Sequence, residues 1–151
     1  MEQNWYDKIN FWDFLQKDMF QSTDINTFYK NYPFNMSSIS DISSKHLDLM
    51  LVMDFDPQGI KNLKKYADST VPDYLILILY FPWAKRVQID WDFNQELPFD
   101  EIYVDIKNTD NEYIDTTLES VFFHKINILH KKELDVILFD KNGNIVKLSN
   151  L

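Results

Sequence analysis

Along residues 5–20 the apolar positions Trp5, Ile9, Trp12, Phe14, Leu15, Met19 and Phe20 recur at intervals of three and four. That spacing places them on one face of a helix. Ser22, Thr23 and Asp24 then offer N-cap oxygens for a second, shorter helix, which must stop near Tyr32 because Pro33 disfavours helical geometry in the residue before it. An N-terminal helical hairpin is expected. Its aromatic face would cover a sheet or, alternatively, meet a second copy or a partner.

The remainder reads mostly as sheet. Residues 47–55 are apolar at every odd position, with Met50 and Val52 added in the middle, as in a central strand covered on both faces. Asp56 as N-cap and Pro57 as first helical residue open a helix of about three turns, striped by Ile60, Leu63, Tyr66 and Ala67, that ends before Pro72. Residues 74–81 form a continuous apolar strand, 82–84 turn the chain, and Val87, Ile89, Trp91 and Phe93 alternate along the next, which together predict a hairpin. Ile102, Val104 and Ile106 mark another strand. A closing hairpin joins residues 133–139 to 145–148 through Asn142-Gly143, the pair best suited to a type I′ turn. Residues 113–129 admit two readings. Thr116, Thr117 and Glu119 could begin a helix, whereas Phe122, His124, Ile126 and Ile128 alternate like a strand; a short helix or loop to residue 119, then a strand, is expected. The fold class is therefore α+β: a single domain over residues 1–151, with an N-terminal helical hairpin on a mostly antiparallel sheet of about five to seven strands and a C-terminal β-hairpin.

Composition narrows the functional classes. Of 151 residues 45% are hydrophobic and 24 are aromatic (12 Phe, 8 Tyr, 4 Trp), far too much to bury for a disordered chain. The absence of Cys removes disulfides, cysteine nucleophiles and thiolate zinc sites, and points to a reducing compartment such as cytoplasm. No apolar run follows a basic stretch in residues 1–10, so no export signal is expected. The longest apolar run, residues 74–83, contains Pro82 and is about half the length that spans a bilayer. A net charge of −9, from 24 acids and 15 bases, opposes direct binding to nucleic acid or to an anionic membrane.

Chemical motifs are sparse. Gly59 and Gly143 are the only glycines, too few for a phosphate-cradling loop, and there is no Gly-x-Ser-x-Gly elbow. Asp54, Asp56, Gln58 and Gly59 imitate the start of a calcium loop, but its twelfth position is Lys65, which cannot ligate. His124 and His130 would share a strand face ~20 Å apart, too far for one metal. Asp54 with Asp56, and Asp90 with Asp92, form two pairs at strand spacing that could hold Mg²⁺ if their strand ends adjoin. Solvent exposure of alternate positions explains the same pattern without a metal. No cofactor is expected, and the Mg²⁺ enzyme stands as an alternative.

Charge distribution is more informative. Residues 90–119 hold ten acids (Asp90, Asp92, Glu96, Asp100, Glu101, Asp105, Asp110, Glu112, Asp115, Glu119) against the single base Lys107, while acids and bases balance over the rest. The whole net charge thus lies in thirty residues. Trp91, Phe99, Tyr103 and other aromatics run through the same stretch, a combination of steering carboxylates and interface anchors that suits a basic protein partner. A solvated acidic sheet edge is the plainer alternative. The partner-binding residues expected are Asp90, Asp92, Glu96, Asp100, Glu101 and Asp105, with Phe99 and Tyr103 as anchors; Trp91 is a further anchor candidate, but its alternation with Asp90 and Asp92 favours a core position. Tyr103 is foremost because it shares the outer face with Glu101 and Asp105 when Ile102, Val104 and Ile106 face inward.

In this general character, with the acidic stretch, no Cys, abundant Asp, Asn, Lys and Ile, and no catalytic motif, the chain resembles the small acidic immunity proteins of bacterial contact-dependent and other polymorphic toxin systems. The resemblance implies a cytoplasmic inhibitor that binds one cognate toxin, often a nuclease domain, at its active site or on a neighbouring surface. A phage anti-defence protein that mimics nucleic acid uses the same physics and is the other alternative.

Overall fold

A computed structural model of the chain describes residues 10–35, 37–57, 60–66, 74–91, 99–109 and 112–151. Among them are nine strands: β1 Gln21–Asp24, β2 Ser38–Lys45, β3 Asp48–Phe55, β4 Leu75–Phe81, β5 Arg86–Asp90, β6 Tyr103–Asn108, β7 Tyr113–Glu119, β8 Lys125–Lys131 and β9 Glu133–Phe139. They form two sheets rather than one, ordered β1-β9-β4-β3-β2 and β5-β8-β7-β6. Every neighbouring pair is antiparallel. Helix among the described residues is confined to short pieces, so this part of the α+β chain is dominated by sheet. No helix among the described residues is long and apolar enough to cross a membrane.

The apolar runs in β3, β4 and β9 follow from cover on both faces. One face carries Leu51, Leu77, Leu79 and Val136, which join Ile114, Leu118, Ile126 and Ile128 of the second sheet in one core. The opposite face carries Met50, Val52, Ile76, Ile78, Ile137 and Phe139, beneath Phe11, Trp12, Leu15, Met19 and Phe20. Each fully buried side chain of this kind contributes roughly 1.5–3 kcal/mol over its exposed state. Among the described residues the second sheet is covered on one face only, in keeping with the alternation of β7, buried at Ile114, Thr116 and Leu118 and half-buried between.

The N-terminal helical hairpin does not form in the described residues. A single turn, α1 Phe11–Phe14, is followed by extended backbone at Leu15 and Gln16 and a 3₁₀ turn at Lys17–Met19, and residues 21–24 are the strand β1. Trp5 and Ile9 lie outside the described residues. The spaced aromatics meet their need for burial by spreading an irregular segment over the sheet, so the period of three and four reports cover and not a continuous helix. The second helix does form, as α2 Ile25–Asn31, with Asp24 Oδ1 accepting from the N–H groups of Asn26 (2.8 Å) and Thr27 (3.3 Å). After Asp56 and Pro57 the expected α-helix is a 3₁₀ helix, Lys61–Tyr66, closed by Leu63 N–H to Ile60 C=O at 2.9 Å. Gln58, Gly59 and Ala67 lie outside the described residues.

Three sheet expectations are corrected. β4 and β5 are not a hairpin: β4 pairs with β3 and β9, and β5 pairs with β8. Trp83, left-handed at φ 56°, helps carry the chain from one sheet to the other, a change of direction that alternation cannot reveal. Residues 113–119 are strand, not helix, because pairing with β6 and β8 overrides the helix-start look of Thr116 and Thr117. In the closing turn Gly143 has φ 85° but Asn142 is not left-handed, so no I′ turn forms. Asp140 Oδ1 instead accepts from Asn142 and Asn144 N–H, both at 2.9 Å, and the returning chain makes one bridge, Phe139 to Ile145.

Candidate protein-binding surface

The outer face of the second sheet is a grid fixed by strand register. One row runs Arg86, Leu129, Asp115, Lys107; the next Gln88, Asn127, Thr117, Asp105; the last Asp90, Lys125, Glu119, Tyr103. Directly opposed residues in antiparallel strands share a face, so the acidic stretch meets cations contributed by β5 and β8. Asp105 pairs with Lys107 at 3.5 Å, and Asp115 accepts from Asn127 Nδ2 at 2.5 Å. Arg86 Nη2 donates to Asn127 Oδ1 at 3.3 Å. The middle of the face is therefore mixed in sign.

Negative charge gathers at the end of the last row. Two turns meet there, residues 99–102 before β6 and 120–124 between β7 and β8, joined by Val121 N–H to Asp100 C=O at 3.4 Å. Ser120 organises the second turn: its Oγ accepts from the N–H groups of Phe122 (3.2 Å) and His124 (3.1 Å), and its C=O from that of Phe123 (3.0 Å). Glu101 (φ 51°) and Phe123 (φ 67°) are both left-handed, which costs a non-glycine residue roughly 1–2 kcal/mol. The result is Phe123, 82% exposed, with exposed Phe122 and with Tyr103, 61% exposed. Asp100, Glu101 and Glu119 belong to the same end, while Asp90 stands at the far edge of the row, opposite the cation Lys125.

Beneath this end lies an aromatic support. The rings of Trp91 and Phe99 meet edge to face at 5.2 Å, and both lie within 5.7 Å of the His124 ring. Phe99 is 1% exposed, so its expected role as a surface anchor is corrected: it is core, drawn inward by the bridge from Ile39 N–H to its carbonyl at 2.8 Å. Of the remaining expected residues, Asp100, Glu101 and Tyr103 lie at the β6 side of this end, Asp90 lies at the opposite edge on β5 with Lys125 and Glu119 between it and Tyr103, Asp105 stands one row back in its ion pair, and Asp92 and Glu96 lie outside the described residues. Phe122 and Phe123 were not expected as anchors. Their signal was present: two adjacent large apolar residues cannot both point inward from one strand.

The histidines are structural where buried. His130 Nδ1–H donates to the Lys131 carbonyl at 2.6 Å, which leaves Nε2 to accept from the Thr116 hydroxyl at 2.7 Å. Burial holds its pKa below the ordinary histidine value, against the opposing pull of that carbonyl and of Asp115. Among the described residues no group of three or more His, Asp or Glu side chains is arranged to hold a metal ion. Asp54 and Asp90 lie on strands of different sheets. A cavity of about 340 Å³ opens between the N-terminal segment and the first sheet, lined by Trp12, Phe20, Tyr80 and Asp135 among others. Burial raises the Asp135 carboxyl above its usual range, Glu133 and Asp48 add to the rise, and Lys17 opposes it. No family model, curated protein or solved structure matches the chain.

Proposed function

We propose that this protein is an inhibitor that binds another protein, specifically an immunity protein that neutralises a basic toxin domain, of nuclease type, through the acidic aromatic end of the second sheet. The observation that carries this reading is Phe123, exposed on a left-handed backbone fixed by Ser120, beside Tyr103 and the carboxylates of Asp100 and Glu101. Rigid aromatic anchors ringed by acids supply both halves of a tight complex: the rings give affinity on a desolvated patch, and the carboxylates steer a cationic partner and occupy sites where it would hold phosphate. Cytoplasmic placement belongs to the same proposal.

The test is capture of a partner with the purified chain, identification by mass spectrometry, and association kinetics with that partner. A basic nuclease domain is expected. Asp100→Lys with Glu101→Lys should slow association about tenfold or more at low salt and less at physiological salt, and Phe123→Ser should speed dissociation by a free-energy equivalent of about 2 kcal/mol. Unchanged rates in both variants would remove this surface from the proposal.

A further inference from the structure

At the other end of the second sheet the surface has the opposite character. Trp83 is 64% exposed and Leu47 is 56% exposed. Both sit on turns that are pinned together. Ala84 N–H donates to the Leu47 carbonyl at 2.9 Å, Trp83 N–H to Asp48 Oδ1 at 3.0 Å, and Lys85 N–H to the Leu129 carbonyl at 2.8 Å. Trp83 (φ 56°) and His46 (φ 58°) are left-handed, so the large apolar groups stand in water on a strained backbone held by defined bonds.

Clefts open on both sides of Leu47 and Ala84. The first, about 380 Å³, lies where edge strand β2 of one sheet faces edge strand β5 of the other, with Ile42, Leu49, Val87 and Ile89 as its apolar lining. The second, about 330 Å³, runs along Trp83 to Tyr113, Lys85 and Lys131. Lys85 Nζ sits 4.6 Å from the centre of the Tyr113 ring, and Lys131 is opposite Tyr113 across β7 and β8. Lys45 and Arg86 are exposed beside these residues. Among the described residues the carboxylate lining the first cleft is Asp48, whose oxygens accept from the Tyr80 hydroxyl and the Trp83 N–H; exposed Glu112 precedes Tyr113 beside the second. A protein of net charge −9 thus keeps an apolar cleft where two sheet edges part and, across Leu47 and Ala84 from it, a cleft lined by two lysines.

We infer that this surface is a second docking site, distinct from the acidic end, and that it takes an extended acidic segment of a partner protein with apolar side chains at alternate positions. Alternation sends every second side chain toward the apolar cleft and leaves the carboxylates between them facing Lys85 and Lys131. Charge complementarity selects this occupant: the second cleft is lined by two lysines and, among the described residues, by no carboxylate, whereas the net negative charge lies in residues 90–119.

The experiment titrates the full chain calorimetrically with an acetylated, amidated peptide alternating Glu and Leu, and with counterparts in which Ser replaces Leu or Lys replaces Glu. Saturable binding of the Glu/Leu peptide is expected, with both counterparts at least about tenfold weaker. Lys85→Glu with Lys131→Glu, and separately Trp83→Ser, should each weaken it about tenfold or more, while Trp83→Phe retains most of it; circular dichroism checks that each variant is folded. The inference is overturned by absence of binding, by equal binding of the three peptides, or by binding that ignores the substitutions. It is also overturned if the surface serves a different occupant. That would appear as self-association lost in the charge-reversed variant, or as binding of a short oligothymidylate lost in it.

Discussion

His130 makes acid sensitivity a property of one side chain. Its ring is neutral in the fold, donating to a carbonyl and accepting from a hydroxyl, so protonation must break the Thr116 bond and place a charge in the core. Because its folded pKa is depressed, the unfolded chain takes up the proton first; stability is intact above about pH 6.5 and falls as pH drops below it. Asp135 has the opposite sign at lower pH. Its raised pKa means the folded chain takes up that proton first, so its destabilising effect is greatest at neutral pH and is relieved as pH falls through the folded value. Urea midpoints measured from pH 7.5 to 5.5 should therefore decline, and His130→Asn, though less stable throughout, should show a flatter profile; an unchanged slope would assign the proton elsewhere. A second residue-scale effect lies at the N-cap of α2. Asp24→Ala removes the acceptor of two backbone N–H groups and should cost about 1 kcal/mol in urea unfolding.

Among the elements, β3 and β4 bear the most burial, each with six buried residues and both faces covered. Leu51→Ala, on the face shared by the two sheets, should cost about 2–5 kcal/mol, whereas Phe14→Ala, from an exposed position in α1, should cost clearly less; chemical denaturation of both variants checks the ranking. The strands that were legible in the sequence are those whose burial alternates or runs continuously, such as β3, β4, β6 and β9. Those that were not legible lack such a signal. β2, with the sequence SISDISSK, is a polar edge strand held by pairing with β3 and by Ser40 Oγ donating to the Val52 carbonyl at 3.1 Å. β1 is only four residues long and exists through β9 and the helix cap it leads into. The division into two sheets was hidden because a strand's own pattern records which side chains turn inward and not which strand lies beside it. The candidate surface was legible in part for the same reason: charge and the outward position of Tyr103 can be read from spacing, but the meeting of residues 99–102 with 120–124 is a product of topology.

At the scale of the whole molecule, one sheet face is acidic in excess at one end, where Asp90, Asp100, Glu101 and Glu119 outnumber Lys125, and basic in excess toward the other, where Lys85, Arg86 and Lys131 outnumber Asp115 among the described residues. If both proposed docking surfaces are used, they lie at different ends of the sheet and do not compete for one surface. Topology adds a constraint of another kind. β1 and β4 are neighbours of β9 and of no common strand, so the last strand in the series must slot between two that were synthesised before it. On a translating ribosome the first sheet waits as two open-edged halves until β9 leaves the exit tunnel. The edge of β4 that β9 covers stays unpaired until then, and an open strand edge is a template for aggregation or chaperone capture.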